Sequence, residues 1–437
     1  MGLGKTAQTL ALFAHAIEQS DAPTPPFLVV APTSVVSNWA AEAARFVPGL
    51  RVTTVGATQA ASGRRIADLA AGADIVVTSY AILRLDADAF ASLDWAGLVL
   101  DEAQFVKNGA SKANAAARDI RAPFRLAVTG TPVENNLMEL WALMKIVAPG
   151  LFPSARAFAE RYRRPIENDH NTERLARLRR RIRPLVMRRT KELVAPELPE
   201  KQEQVLTVAL DPSHRRIYDT FLQRERQKLL GLIDDLDRNR FTVFRSLTLL
   251  RMLSLHAGLI DGEQYGQVPS AKLDALFEQL DEVIAEGHRA LVFSQFTSFL
   301  QLAAARLDAA GVPYTYLDGS TRRRSEVIDR FRTGRAPVFL ISLKAGGFGL
   351  NLTEADYVFL LDPWWNPASE AQAVDRAHRI GQSKTVMVYR MVAEGTIEEK
   401  VMALKAKKAA LVSSLMDDDD LFSESLSADD IRGLIEG

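Results

Sequence analysis

Apolar positions along this chain follow two alternating rhythms. From Lys5 to Glu18 they recur at Ala7, Leu10, Ala11, Phe13, Ala14 and Ile17, the spacing of one helical face. Short apolar runs follow at Phe27 to Val30, Arg51 to Val55, Asp74 to Thr78, Gly97 to Leu100 and Arg125 to Thr129. Helical stretches such as Asn38 to Arg45 separate them, which predicts buried parallel strands in βαβ units. Between about Glu134 and Val268 the strand signal falls away and the chain reads as helical and charged. A second series starts at Ala290 to Phe293 and continues through Tyr314 to Leu317, Val338 to Ile341, Tyr357 to Leu361 and Thr385 to Val392. Helices are predicted at Phe299 to Ala310 and Ser369 to Arg379. The pattern predicts an α/β chain with two parallel-sheet lobes. The expected boundaries are a first lobe over 1–195 with a helical insertion from about 134, a helical linker over 196–268, a second lobe over 269–415 and an acidic tail over 416–437. Pro196 and Pro199 mark the first junction, and Asp417 to Asp420 open the tail.

A length of 437 residues exceeds what one hydrophobic core usually supports, in keeping with two lobes. Basic and acidic residues balance at 54 each, so the whole-chain field points to no nucleic-acid partner and any such surface must come from clustering. One cluster stands out: Arg156 to Lys191 holds 13 basic residues against 4 acidic ones. It reads either as a solvated helical face or as a DNA-backbone surface. The absence of cysteine excludes disulfides, thiolate metal sites and cysteine nucleophiles, and fits a reducing, cytoplasmic setting. No apolar run is long enough to span a bilayer, so a soluble chain without a membrane partner is expected. Met1 to Thr6 formally match an N-myristoylation pattern, but the same letters make better sense as part of a phosphate loop.

Gly4-Lys5-Thr6 ahead of a helix is the second half of such a loop. Backbone N–H groups cradle phosphates, the lysine reaches the outer ones, and the threonine hydroxyl ligates magnesium. Alone it is weak evidence. Gly97 to Leu100 ends in Asp101-Glu102-Ala103-Gln104, two carboxylates at the carboxyl end of an apolar strand, where ligands of open α/β sheets bind. There an aspartate serves magnesium and a glutamate orients and deprotonates the attacking water. A strand-terminal turn with solvated acids gives the same letters, but not downstream of Gly-Lys-Thr at a lobe-sized interval. Further on, Gln372 to Gln382 places Arg376 and Arg379 three residues apart, on one face of a predicted helix. Two such arginines suit charge on a transferring phosphoryl group, or an exposed basic face. Ser342 to Leu352 follows a strand, and its glycines permit close approach to a phosphate or make a flexible loop.

The ordered set MGLGKT, APTSVVSNW, DIVVTSY, DEAQFVKN, TGTPVENNLMELW, LVFSQFT, LDGST, SLKAGGFGLNLT and DPWWNPASEAQAVDRAHRIGQ resembles the motif series of the Swi/Snf ATPases, two-lobed helicase-like motors. It covers residue 1 to about 410. The resemblance implies two RecA-like lobes, ATP and Mg²⁺ as ligands, and double-stranded DNA as track, with a DNA-bound protein complex as a further partner. Gly2, Gly4, Lys5 and Thr6 would hold phosphates, Thr6 and Asp101 magnesium, and Glu102 the water. Gln372 and Gly347 would face the nucleotide, and Arg376 and Arg379 would reach it from the second lobe. Thr129, Gly130 and Thr131 would couple ATP to DNA. Pro32, Thr33, Ser34, Asn38, Trp39, Thr78, Ser79, Tyr80, Lys344, Ala345, Gly346, Trp364, Trp365 and Asn366 would line the DNA track, although the tryptophans also suit a core.

Measured against that family, the strand under the phosphate loop and the adenine-reading segment are expected upstream of Met1, which suggests a fragment or a late start site. Gln104 stands where histidine is usual, a bacterial-type variant. The expected function is a DNA-stimulated ATPase that translocates on duplex DNA and remodels protein–DNA complexes without separating strands. Two rivals are a DNA- or partner-binding fragment without ATP turnover and a strand-separating helicase.

Overall fold

The structure, a computed structural model, describes residues 3–129, 136–169, 171–187, 189, 191–230, 232, 236–343, 350–364, 367–404 and 433. The chain divides into two compact units, one from Leu3 to Pro196 and the other from Glu197 onward.

The first unit is built on a five-stranded sheet of β1 (Phe27–Ala31), β2 (Val52–Val55), β3 (Ile75–Ser79), β4 (Gly97–Asp101) and β5 (Phe124–Val128) in the order β2-β3-β1-β4-β5. Every pairing in it is parallel. β1, β3 and β4 are buried along their whole length because helices cover both faces of the sheet, which is why they read as unbroken apolar runs. The Lys5–Glu18 helix precedes β1 and packs Phe13 on the Phe27 ring, with centroids 4.2 Å apart. β1 and β4 lie side by side although β2 and β3 intervene in sequence. Their carboxyl ends therefore flank a topological switch point, the place where such sheets bind ligands. Gly97 is required by packing: a Cβ there would lie 2.9 Å from the Phe27 ring. A helical layer gathers Leu137, Leu140, Met144, Phe152, Phe158, Tyr162, Leu178 and Ile182 into its own core.

The second unit has a six-stranded sheet of β6 (Lys201–Val208), β7 (Ala290–Ser294), β8 (Tyr314–Leu317), β9 (Val338–Ser342), β10 (Tyr357–Leu360) and β11 (Val386–Ala393), ordered β6-β11-β10-β7-β9-β8 and again all parallel. The α/β reading with two parallel sheets holds. One prediction is corrected: the stretch after residue 196 was expected to be helical, yet Lys201–Val208 is a strand paired with β11 over eight residues. It is an exposed edge strand rich in Lys, Gln and Glu, so neither face shows an apolar stripe and the backbone pairing decides. The helices Pro212–Leu230 and Leu236–Leu255 follow, and their apolar residues join Ile397 and Val401 in the core of this unit.

Candidate nucleotide site

In the first unit the chemistry collects at the carboxyl end of β4. Gly4 caps the Lys5–Glu18 helix with φ +68°, a left-handed conformation natural to glycine. No side chain caps that helix and no acid occupies its first turn, so its first N–H groups are left for an anion. The side chains of Lys5 and Thr6 are half-buried there. Asp101 is 8% exposed, and Trp39 Nε1 donates to its Oδ2 at 2.9 Å while the Glu102 N–H donates to its Oδ1 at 2.9 Å. Burial pushes the Asp101 carboxyl above its ordinary range, opposed by the indole bond, the Lys5 ammonium and the Glu102 N–H. The Lys5 ammonium thus favours the charged form of Asp101.

Glu102 has φ +49°, the only positive φ at a non-glycine among the described residues. Strain of this kind, typically about 1–3 kcal/mol, persists where the surroundings over-determine it. Here a relay does so. Gln104 Nε2 donates to Glu102 Oε2 at 2.8 Å, and Thr129 Oγ1 donates to Gln104 Oε1 at 2.8 Å. The residue at the unusual family position therefore links the carboxylate to the threonine expected to couple ATP and DNA. Gly130 and Thr131 lie outside the described residues.

Several positions expected on the DNA track are corrected. Trp39 is 1% exposed and its polar atom serves Asp101. Tyr80 is buried, its hydroxyl donating to the Asp101 carbonyl at 2.7 Å and its ring stacked on Phe105. Thr78 and Ser79 are buried as well: Thr78 Oγ1 donates to the Val55 carbonyl, and Ser79 Oγ accepts the Ile82 N–H to cap a helix. Trp39 and Tyr80 thus hold Asp101, one at its carboxylate and the other at its backbone carbonyl. Pro32 is buried in the turn after β1, Thr33 is exposed, Ser34 is half-buried, and half-buried Asn38 donates to Glu42.

In the second unit the helix carrying Gln372 spans Pro367–Val374, and Gln372 is half-buried. It stops short of both arginines, which corrects the expectation that they share a helical face. The Arg376 and Ala377 N–H groups turn back to the Ala373 and Val374 carbonyls, the tighter bonding of a closing turn. Gln382 pins the chain on either side of this turn: its Nε2 donates to the carbonyls of Thr353, Ala355 and Ala377, and its Oε1 accepts the N–H groups of Ser383 and Lys384. Arg376 is 5% exposed; Arg379 is half-buried and donates to the Leu350 carbonyl at 3.1 Å. Gly2, Lys344, Ala345, Gly346, Gly347, Trp365 and Asn366 lie outside the described residues.

A charged group in this unit carried no motif signal. Arg251 is buried against Asp362 at 3.6 Å, donates to the Pro363 carbonyl at 2.6 Å, and stands 5.8 Å over the Trp364 ring. Asp362 also accepts from Ser294, and its carboxyl is pushed up to about 6 by burial, with Arg251 and Ser294 acting against the shift. Lys272 pairs with Glu398 at 2.5 Å and donates to the Leu361 and Met391 carbonyls, all of it buried. In the sequence Arg251 and Lys272 are charges within helical patterns, and no spacing marks either of them out.

The SNF2-related domain family matches residues 1–259. The chain belongs to that family. The helicase conserved C-terminal domain matches residues 271–381 of this SNF2-related chain. Bacillus subtilis YwqA, whose name gives it as an ATP-dependent helicase/translocase, is 34% identical over 442 residues, covering 99% of this chain and 48% of that protein. The Mus musculus SWI/SNF-related matrix-associated actin-dependent regulator of chromatin, subfamily A member 1, is 35% identical over 418 residues, 92% of this chain and 39% of that protein. The SNF2-related chain thus spans less than half the length of these curated relatives. Among solved structures, the Sulfolobus solfataricus SWI2/SNF2 ATPase core in complex with dsDNA is 31% identical, covers 100% of this chain and 91% of that one, and superposes with a TM-score of 0.45. Among the described residues no helix is long and apolar enough to cross a membrane.

Proposed function

We propose that this chain is the motor of an ATP hydrolase that is stimulated by double-stranded DNA, translocates along it without separating the strands, and thereby remodels protein–DNA complexes. The observation that carries the reading is the Asp101–Glu102 pair at the switch point of a parallel sheet, with the Lys5 ammonium, at an uncapped helix start, favouring the charged Asp101. The donor set is hard oxygen, carboxylate and hydroxyl, and suits magnesium completed by phosphate oxygens and water. Thr6 and Asp101 would hold that ion, which when bound neutralises charge on the outer phosphates. Gly4, Lys5 and the first helical N–H groups would bind the phosphates. Glu102, held by Gln104, would orient the attacking water and take its proton.

Arg376 and Arg379 are assigned to the charge that develops on the transferred phosphoryl group. Loss of those contacts after hydrolysis is the differential binding that would drive a cycle between lobe arrangements. Duplex DNA as the track rests on the motif series and on the translocase and chromatin-regulator relatives. The test is ATP turnover without nucleic acid, with duplex DNA and with single-stranded RNA. The reading expects stimulation by duplex and its loss in Lys5→Ala. Turnover that ignores duplex, or survives Lys5→Ala, would sink it.

A further inference from the structure

The Thr172–Ile182 helix takes part in neither site. It buries Leu178 and Ile182 against Phe152, Phe158 and Tyr162. At helical spacing Arg174, Arg177 and Arg180 follow one another three residues apart on its exposed side, with Arg181 nearer the packed face and Glu173 in the first turn the helix's sole acid. Arg174, Arg177 and Arg180 are exposed, and none has an ion-pair partner among the described residues. Their neighbours differ: Arg156 and Arg163 are each paired one turn on, with Glu160 and Glu167. Arg181 is fastened down, donating to the Leu151 carbonyl at 2.7 Å with its guanidinium 5.4 Å over the Phe152 ring.

Like charges one turn apart destabilise a helix, so an unrelieved row of them on a well-packed element calls for a polyanion opposite. From Arg174 to Arg180 the helix rises about 9 Å. Phosphates follow one another every ~3.4 Å of axis along one strand of a duplex, so the stripe matches a run of about three. A regular polyphosphate fits this regular row better than the scattered carboxylates of a protein surface.

We propose that the row of Arg174, Arg177 and Arg180 is a second contact for duplex DNA, gripping the phosphate backbone without reading sequence and separate from the ATP-coupled track. The inference rests on the reading that this chain moves on duplex DNA. Glutamine at positions 174, 177 and 180 keeps helix propensity and breaks no ion pair among the described residues.

The test measures the affinity of the protein for a short mixed-sequence duplex between about 50 and 200 mM salt, without nucleotide. Each lost phosphate contact lowers the slope of log affinity against log salt by about 0.9, so the triple variant should be shallower by about 2.7 and bind at least about tenfold more weakly at the low-salt end. Its circular dichroism should match the parent. If the triple variant does not fold, Arg177→Gln alone should still lower the slope by about 0.9. An unchanged slope overturns the inference, as does loss of binding to polyglutamate with the DNA slope intact, which would assign the stripe to an acidic protein. Failure of the parent to bind duplex overturns it together with the motor reading. The two part company otherwise: duplex-stimulated turnover with an unchanged slope sinks the contact alone, and the slope change without stimulated turnover sinks the motor alone.

Discussion

Replacing Trp39 by Phe removes one hydrogen-bond donor from a buried carboxylate and leaves most of the ring in place. The indole N–H is 2.9 Å from Asp101 Oδ2, and both side chains are buried. A hydrogen bond to a charged group contributes about 1.5–3 kcal/mol. For a unit of this size each kcal/mol moves the midpoint by about 2–4 °C, so a fall of roughly 3–12 °C is expected in thermal unfolding of the first unit. The smaller ring also leaves a void, so the bond is isolated by a double-mutant cycle with Asp101→Ala. The cycle should return a coupling of about 1.5–3 kcal/mol. The same substitution has a functional consequence with a definite sign. Burial already raises the Asp101 carboxyl and the indole opposes it, so Trp39→Phe should raise it further. In the proposed site, cation-assisted ATP binding would need the ionised form, so the pH below which ATP affinity fails should move upward in the variant. Additive single mutants, together with an unshifted pH profile, would refute the reasoning.

Lys272→Met should destabilise the second unit by about 3–5 kcal/mol, because Glu398 is left charged and buried. Calorimetry should show most of that loss recovered when Glu398 is also made Leu. Asp362 titrates higher in the folded protein, about 6, than unfolded, so its contribution to stability is complete below the unfolded value and lost as pH rises through about 6. Denaturant midpoints of Asp362→Asn against pH should therefore slope more positively than the parent's between about 4 and 6, by up to about 1.4 kcal/mol per unit. Arg379→Ala should cut turnover by about 10³-fold or more while changing duplex affinity only a few-fold, measured by hydrolysis and anisotropy in parallel.

The strands of both sheets were legible because a parallel sheet covered on both faces needs continuous apolar runs, and β1, β3, β4, β7 and β9 are such runs. β6 was not legible, since an edge strand paired on one side keeps polar residues on both faces. Lys5, Asp101 and Glu102 could be proposed from spacing, because the chemistry proposed for them fixes residue type and chain position together. What Trp39 and Tyr80 do could not. Both support Asp101 through single polar atoms across the switch point, and an aromatic in a motif carries no mark of whether its polar end turns inward. The arginine pair shows the limit of periodicity: three-residue spacing suggested a shared helical face, and the turn closed by Gln382 gives each a different setting.

The most direct test of the central claim sets translocation against strand separation. The protein is given ATP and a duplex carrying a third strand downstream, beside a tailed duplex without one, with Lys5→Ala as control. The account predicts that the third strand is displaced, that the tailed duplex stays paired, and that Lys5→Ala does neither. Release of the tailed strand with the third strand left in place would contradict it.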